Sequence, residues 1–460
     1  MLRKRAFLIC RITDTENTLR QLYQTSFMYD VDLTSFYQAC NPRPLVMGKT
    51  EDQKYYIDFA SVRGNNIIQE LERTITKLSP DRPTHQLFTG HIGCGKSTEL
   101  QQLKAKLERQ QFHLVYFESD QVLEMADVDI TDIMLAIARQ VSASLEAIQI
   151  RLKPQYFVQV FHDISEILQN PIEISNVEFS VGIAKVTAAT KQSPKLRNQL
   201  RQYLEPRTKG ILNAINKELF APATERLKQV GKKGLVVIVD NLDRLDNCVK
   251  PNGQIQPEYL FVERGEQLKQ IDCHVVYTIP LILRFSNALG RLTNRFGTDP
   301  KALPMVPVQL RTGSEYQDGI ALLQQMILAR AFPDLNMVER LNHLTAVFDR
   351  PETLERLCRV SGGHVRNLLV LLSRCLHRED LPLSWGCIDE VIRQRRNELT
   401  LAITEDEWEL LRQVTQQRSL RGEERYQTLV RDMFVFEYQD RYGSWFNVNP
   451  ILLEAEELQL

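Results

Sequence analysis

The chain has 460 residues, of which 43% are hydrophobic and 25% are charged, and its formal net charge is −1. These values are ordinary for a globular protein, and the length predicts about three domains. The balanced charge excludes any argument from global electrostatics for nucleic acid or an anionic membrane as a partner.

Cysteine usage and apolar run length indicate the compartment. The eight cysteines are scattered, and none lies in a C-x-x-C pair or at zinc-ligand spacing beside a histidine. We therefore expect free thiols in a reducing compartment. The apolar run Ala6–Cys10 is too short for a signal peptide, and no stretch approaches the roughly 20 apolar residues that span a bilayer. These patterns predict a cytoplasmic protein with no membrane partner.

The first part of the chain leads into an α/β core. Residues 1–44 carry no strong pattern and are predicted to be an N-terminal extension that ends at the break Asn41–Pro44. A core domain is predicted from 45 to 310. Apolar spacing predicts its first elements: the run Val-Arg-Gly at 62–64 followed by a helix to 78, a strand at His85–Thr89, a helix from about Ser97 to Gln110 and a strand at Phe112–Phe117.

Residues 120–232 are predicted to be a mostly helical insertion in this core. Within the insertion, alternate apolar residues indicate a strand or hairpin: Val177, Phe179, Val181 and Ile183. After the insertion, three apolar runs predict further strands at Leu235–Val239, His274–Thr278 and Met305–Leu310. Strands that alternate with helices are typical of an α/β fold with a parallel sheet.

The rest of the chain is predicted to form a helical lid over 311–380 and a smaller domain over 381–460. The smaller domain contains three helices and then a hairpin, whose strands are Met433–Tyr438 and Ser444–Val448 and whose turn is Asp440–Gly443. This order of elements is typical of a winged-helix domain.

A glycine-rich loop follows the first predicted strand. The run from Gly90 to Ser97 fits G-x-x-x-x-G-K-[ST], in which glycines let backbone N–H groups surround phosphate at a helix N-terminus. Lys96 would neutralise the β- and γ-phosphates, and the Ser97 hydroxyl would hold Mg²⁺. The predicted nucleotide-binding residues of this loop are Gly90, His91, Gly93, Cys94, Gly95, Lys96, Ser97 and Thr98.

A buried strand that ends in a carboxylate supplies the second part of the site. Leu235–Val239 is fully apolar and is followed by Asp240, as in a Walker B motif. Because open parallel sheets bind ligands at the carboxyl ends of their strands, Asp240 is the second predicted Mg²⁺ ligand.

The two boxes resemble those of the additional-strand division of P-loop NTPases, which includes AAA+ proteins and STAND ATPases. The resemblance covers about residues 58–380 and implies ATP as the nucleotide, bound by a parallel α/β core with a helical lid. In this division another strand lies between the two Walker strands, and Phe112–Phe117 is expected to be that strand.

Four short motifs extend the resemblance. Arg63, in the run Val-Arg-Gly before a helix, resembles the box that touches adenine. Thr278 resembles sensor 1 near the γ-phosphate, and Arg366 resembles sensor 2 of the lid. Arg295 resembles an arginine finger, which acts from a neighbouring subunit and implies a homo-oligomer. Each of the four could instead be an ordinary structural or surface residue.

The residue after the Walker B aspartate departs from the AAA+ pattern. AAA+ proteins carry a glutamate there as general base, whereas this chain has Asn241, and its next carboxylate is Asp243. NACHT proteins of the STAND class carry acidic residues at this later position, and the run Asp-Asn-Leu-Asp-Arg also resembles the KAP group. Asp243 is therefore the candidate general base. Alternatively, it caps the next helix or pairs with Arg244.

Three functions of different class follow. The first is an ATPase that acts as a STAND or AAA+ regulatory switch with a protein partner. The second is an initiator-like protein that binds DNA. The third is a nucleotide-binding scaffold with little hydrolysis. Residues 391–432 contain eight arginines, no lysine and eight acidic residues, so they do not favour the basic face that DNA binding needs. A small-molecule kinase is disfavoured because the lid and the C-terminal domain serve no acceptor substrate.

Overall fold

The computed structural model describes residues 31–152, 154–168, 180–184, 193–250, 253–420 and 424–459. Within these residues the chain forms seven strands and many helices. The strands are β1 (His85–Gly90), β2 (His113–Glu118), β3 (Leu235–Asp240), β4 (His274–Thr278), β5 (Lys301–Leu303), β6 (Val435–Asp440) and β7 (Gly443–Val448).

The helices fall into groups along the chain. Those up to residue 229 are α1 (Leu33–Ala39), α2 (Thr50–Tyr55), α3 (Ile67–Arg73), α4 (Lys96–Arg109), α5 (Ser119–Val122), α6 (Ile130–Ala147), α7 (Gln155–Leu168), α8 (Pro194–Leu204), α9 (Thr208–Ala214) and α10 (Ala221–Gln229). The later ones are α11 (Gln256–Glu258), α12 (Gly265–Lys269), α13 (Ile282–Phe285), α14 (Leu289–Phe296), α15 (Gln317–Ala331), α16 (Met337–Asn342), α17 (Pro351–Val360), α18 (Val365–Leu376), α19 (Trp385–Thr400), α20 (Glu405–Gln417), α21 (Glu424–Arg431) and α22 (Glu456–Gln459).

Strands β1 to β5 form one parallel sheet in the order β2-β3-β4-β1-β5. The predicted α/β class is therefore confirmed. All six residues of β3 and all five of β4 are buried, as expected for central strands covered by helices on both faces. The carboxyl ends of β1 and β3 lie on the same edge of the sheet, which places the glycine-rich loop near Asp240.

The predicted position of Phe112–Phe117 was wrong. The strand between the two Walker strands is β4, and β2 lies at the edge of the sheet beside β3. Chain order was a poor guide because each crossover helix can return the chain to either side of a strand already in place.

The predicted fifth strand was also misplaced. The strand beside β1 is Lys301–Leu303, whereas Met305–Leu310 continues without joining the sheet. Met305, Val306 and Val308 are buried because the segment passes under the lid and the hairpin, and Met305 N donates to Glu437 O (2.9 Å). The apolar residues of this segment therefore indicate burial and not a β-strand.

The insertion over 120–232 is helical where it is described. Residues 180–184 form a helical turn, so the strand predicted through Val181 and Ile183 was wrong there. Val177 and Phe179 lie outside the described residues. Alternation over so few residues does not separate a strand from one helical turn, and Ile183 is buried among the helices that cover β2 and β3.

The C-terminal helices α19 to α21 and the β6–β7 hairpin follow the predicted order. The hairpin does not stand apart from the core, because Phe436, Tyr438 and Trp445 pack with the residues of β1, β3 and α4. The lid helices and the C-terminal helices share one further hydrophobic cluster, in which Phe36 of α1 also lies. The domain boundaries at 44, 310 and 380 stay predictions. Within the described part of the chain, no helix is long and apolar enough to cross a membrane.

Gly363→Ala is expected to destabilise the protein by about 2–5 kcal/mol. The φ of Gly363 is +72°, and an added Cβ would lie 1.6 Å from the carbonyl oxygen of Val306. The segment after β5 or the start of α18 would have to move. Urea unfolding measures the change in free energy.

Gly290→Ala, on α14, is the matched control, because nothing lies within 4 Å of its added Cβ. It should leave stability unchanged or raise it by up to about 1 kcal/mol. Equal midpoints for the two variants would show that the contact between Gly363 and Val306 does not constrain the lid.

Candidate functional site

The loop between β1 and α4 has the backbone conformation that its glycines allow. Gly90, Gly93 and Gly95 have φ values of 147°, 88° and 107°. A Cβ on Gly90 would lie 2.6 Å from Leu303 O, and one on Gly93 would lie 2.7 Å from the His364 ring. Glycine is therefore required by both torsion and space at Gly90 and Gly93, and by torsion at Gly95.

The Lys96 ammonium group is buried inside this loop. Its Nζ donates to the carbonyl oxygens of Gly90 (2.7 Å) and His91 (2.8 Å) and forms an ion pair with Asp243 Oδ2 (2.9 Å). Both side chains of the pair are 5% exposed. Burial acts to lower the pKa of Lys96, but the nearby Asp243 carboxylate outweighs it and raises this pKa above its usual value. The lysine is therefore charged at neutral pH.

Asp240 lies fully buried at the end of β3. Its carboxylate accepts from the Tyr116 hydroxyl (2.6 Å) and from Asn241 N (2.8 Å), and the Ser97 hydroxyl bonds to it as well. Burial, followed by the proximity of Asp243, raises the pKa of Asp240. The structure thus brings together Ser97 and Asp240, the two predicted metal ligands.

The turn after Asp240 places Asp243 against the lysine. Asn241 has a φ of 64°, and Leu242–Arg244 forms one turn of 3₁₀ helix. Thr278 Oγ1 accepts from Leu242 N (3.0 Å) and donates to Val239 O (3.2 Å). Thr278 therefore supports this turn from β4, and its predicted role as sensor 1 stays a prediction.

Asp120 is a member of the site that sequence reasoning missed. Its carboxylate accepts from Asn241 Nδ2 (2.9 Å) and from Arg244 (2.6 Å). Arg244 is thereby paired with Asp120, and Asp243 with Lys96. Asp120 follows the edge strand β2, so its place depends on the strand order that the pattern did not predict.

A cleft opens beside the loop, between the segment that contains α2 and the lid helices α15 and α18. It holds about 890 Å³ of space not filled by atoms, part of it open to solvent. Residues Gly93 to Thr98 form one wall, and apolar side chains form much of the rest: Tyr55, Ile57, Phe59, Met326 and Leu369. Such a mixture of backbone N–H groups and apolar walls suits a nucleotide.

Two of the predicted arginines line this cleft. Buried Arg63 donates to Cys94 O (2.7 Å) and lies 3.5 Å from Glu99 Oε1. Arg366 lies in the first turn of α18, and its backbone N donates to Gly93 O (3.2 Å). Burial, followed by the charge of Arg244, lowers the pKa of Arg366. Their predicted contacts with adenine and γ-phosphate stay predictions.

Within its own chain, Arg295 lies outside the nucleotide cleft. On α14, its Nε donates to Val262 O (3.0 Å), and its guanidinium is 4.0 Å from Glu266. It is not among the residues that line the cleft. The structure therefore brings together the predicted site residues without Arg295, which could act only on another subunit.

Two buried histidines join the loop to the hairpin and the lid. His91 Nε2 accepts from Glu437 N (3.0 Å) of β6. His364 Nδ1 accepts from Asn367 N (3.0 Å), so its Nε2 donates to Ile92 O (2.8 Å). Phe436 lies against both rings. His91 was predicted only as a loop residue, and no local pattern signals a contact between residues that are 346 positions apart.

The parallel sheet with β4 between the Walker strands, the glycine loop and the buried lysine define a nucleotide-binding P-loop NTPase domain. In agreement, residues 64–249 match the KAP family P-loop domain. No curated protein matches the chain.

Three solved structures resemble the fold at low identity. The Walker-type ATPase PABY2304 of Pyrococcus abyssi has a TM-score of 0.45 and 12% identity, over 92% of this chain and 100% of that chain. The ORC2 protein of Aeropyrum pernix, in ADPNP–ADP complexes, has a TM-score of 0.37 and 14% identity, over 86% and 92%. Cdc6p of Pyrobaculum aerophilum has a TM-score of 0.38 and 11% identity, over 94% and 97%.

Acidification is expected to destabilise the packing around the loop. Histidine titrates near pH 6.5 when unfolded, whereas burial lowers the folded pKa of His91 to about 3 and that of His364 to about 4. At pH values between the folded and the unfolded pKa of these histidines, the unfolded chain binds protons that the folded chain does not. The free energy of unfolding should therefore decrease as the pH is lowered below 6.5, by about 1.4 kcal/mol per pH unit for each imidazole. Urea unfolding at pH 7, 6 and 5 measures this loss.

Replacing both imidazoles isolates their part of the pH dependence. The double variant His91→Gln, His364→Gln should lose less stability than the wild type between pH 7 and pH 5. His162→Gln, at a side chain that is 62% exposed, should keep the wild-type dependence. A double variant with the wild-type pH dependence would contradict the assignment.

Proposed function

We propose that the protein hydrolyses ATP to ADP and phosphate and acts as a regulatory switch of the STAND or AAA+ type. The observation that carries the proposal is the buried ion pair between Lys96 and Asp243 (2.9 Å). It joins the residue that would bind phosphate to the residue that would activate water. ATP is preferred over GTP on the family resemblance alone.

In the proposed mechanism, ATP phosphates bind at the backbone N–H groups of the loop and at Lys96. The Lys96 ammonium group has only three N–H donors, and all three are already used. It must therefore exchange Asp243 for phosphate oxygens. Asp243 is then free to accept a proton from water as the water oxygen attacks the γ-phosphorus. The bond to the β,γ-bridging oxygen breaks, and ADP leaves with that oxygen.

The residues around Asp240 fit a magnesium ion. A hydroxyl and a carboxylate are ligands that Mg²⁺ prefers, and Ser97 and Asp240 already lie in hydrogen-bond contact. Bound there, Mg²⁺ would neutralise charge on the β- and γ-phosphates. Tyr116 and Asn241 hold the Asp240 carboxylate in place.

The contacts of the loop support a switch rather than a simple hydrolase. The hairpin contacts the loop at His91 through Glu437 N, and the lid contacts it at Ile92 and Gly93. A loop that moves on binding ATP would change all of these contacts. The C-terminal domain would then expose or withdraw a surface for a protein partner.

DNA binding is the alternative that we do not favour. The hairpin that would form the wing packs its aromatic side chains against the core. A scaffold with little hydrolysis would need Asp243 to serve only as the partner of Lys96. The cytoplasmic location is part of the proposal and rests on cysteine usage, since the seven cysteines in the described ranges are free.

Lys96→Ala should abolish ATP hydrolysis, and Asp243→Asn should lower kcat by about 10²–10⁴-fold, the usual contribution of a general base. Asp246→Asn is the matched control, because this exposed neighbour lies outside the nucleotide cleft. It should keep the wild-type rate. Phosphate release at saturating ATP measures all three. Wild-type turnover by Asp243→Asn would favour the scaffold.

If Arg295 acts on a neighbouring subunit, the rate per subunit should rise with protein concentration. Arg295→Ala should then lower kcat by about 10³-fold or more without changing ATP affinity. Arg291→Ala, on the same helix and 59% exposed, should be unchanged. A mixture of Arg295→Ala with Lys96→Ala should recover part of the activity, because one subunit supplies the site and the other the arginine. A mixture as inactive as its components would count against action in trans.

A further inference from the structure

A second cavity lies beside the P-loop and shares Ile92, Asp243 and Arg244 with the lining of the nucleotide cleft. Its walls are the loop residues Gly90 to Ile92, the turn Asp243 to Asn247, the segment from Pro280 to Phe285 after β4, and helix α21 with Met433. It holds about 1080 Å³ of space not filled by atoms, part of it open to solvent. The cavity therefore lies between the NTPase core and the C-terminal domain.

The cavity is lined by apolar side chains and by two residues whose buried side-chain oxygens have no donor. Its apolar side chains include Ile92, Leu281, Ile282, Phe285, Val430 and Met433. Within the part of the chain that the structure describes, the buried oxygens Asp243 Oδ1 and Asn247 Oδ1 accept no hydrogen bond. A buried acceptor without a donor destabilises the folded protein. A ligand that supplies donors there would recover this free energy.

The charges of the cavity determine the sign of such a ligand. Its two arginines are already paired, Arg244 with Asp120 and Arg431 with Asp432. The carboxylate of Asp243 is 5% exposed and has one oxygen on Lys96 and the other without a donor. The exposed carboxylate of Asp246 also lines the cavity, so an anion would be disfavoured, whereas a cation with several N–H groups would satisfy both orphaned oxygens.

We propose that this cavity binds a small amphipathic cation, an amidine, guanidine or primary amine carried on an apolar body, and that Asp243 is its anchor. The N–H groups donate to Asp243 Oδ1 and Asn247 Oδ1. The apolar body packs between α13 and α21, where Ile282, Phe285 and Val430 lie.

Such a ligand changes the nucleotide site because Asp243 forms a wall of both cavities. A cation bonded to Oδ1 competes with Lys96 for the negative charge of the Asp243 carboxylate. This weakens the ion pair between Lys96 and Oδ2. On the basis of the proposed function, in which Lys96 must leave Asp243 to bind phosphate, the cation therefore favours nucleotide binding. Linkage requires that nucleotide favour the cation by the same factor.

Benzamidine is a suitable probe, and benzamide is its uncharged isostere. Isothermal titration of the full chain with benzamidine should give saturable binding with a Kd on the order of 1 mM, the range for a ligand of this size. Benzamide should give none. Ile282→Trp fills the cavity and should abolish binding, whereas Val338→Trp, at a side chain that is 68% exposed on α16, should not. Equal binding of both compounds, or binding retained by Ile282→Trp, overturns the proposal.

The coupling is tested separately with the non-hydrolysable analogue AMP-PNP. Saturating benzamidine should lower the Kd of AMP-PNP by about 5-fold or more, and AMP-PNP should lower the Kd of benzamidine by the same factor. If AMP-PNP never binds, the proposed function fails while the titration with benzamidine alone still decides the cavity. If both bind without mutual effect, the link through Asp243 is wrong.

Discussion

A charged ammonium group that is removed from water must be surrounded by oxygen atoms and a negative charge, and Lys96 imposes this requirement on the whole site. Two of its partners are carbonyl oxygens of its own loop, so the loop closes around its lysine. The third is Asp243, which belongs to the chain after β3. Because breaking a buried pair leaves an unpaired charge at a cost of several kcal/mol, the loop and the Asp243 turn behave as one unit.

The conformation of the turn that contains Asp243 depends on hydrogen bonds with neighbouring residues. Asn241 adopts a left-handed conformation, Thr278 accepts the Leu242 N–H, and Asp120 bonds both Asn241 and Arg244. These contacts come from the ends of β2, β3 and β4. The order of the strands therefore decides whether the carboxylate can reach the lysine.

The P-loop also forms hydrogen bonds with distant parts of the chain. Hairpin, lid and N-terminal segment each form a hydrogen bond with it, through Glu437 N, His364 Nε2 and Leu45 N. His91 accepts its bond from Glu437 N and His364 accepts one from Asn367 N, and both bonds require neutral rings, which burial maintains. A ligand that reshapes the loop must change contacts in three regions at once, and this gives a physical route from the nucleotide to the C-terminal domain.

Local pattern was enough to predict the parallel sheet, the glycine loop and the Walker B aspartate, because each depends on a short run of residues. It was not enough for the position of β4, for the true β5, or for the pairs that Asp120 and His91 form. Those depend on which segments meet after long excursions of the chain. The apolar run Met305–Leu310 shows the limit most clearly, since burial under the hairpin and pairing in a sheet select the same residues.

The affinity of Asp243→Asn for ATP tests the central claim most directly. If the ion pair holds Lys96 away from phosphate, removing the carboxylate charge frees the lysine, and ATP should bind at least about tenfold more tightly than to the wild type. Titration calorimetry with AMP-PNP measures this without turnover. Unchanged or weaker binding would contradict the account, because it would mean that Asp243 does not compete with the nucleotide for Lys96.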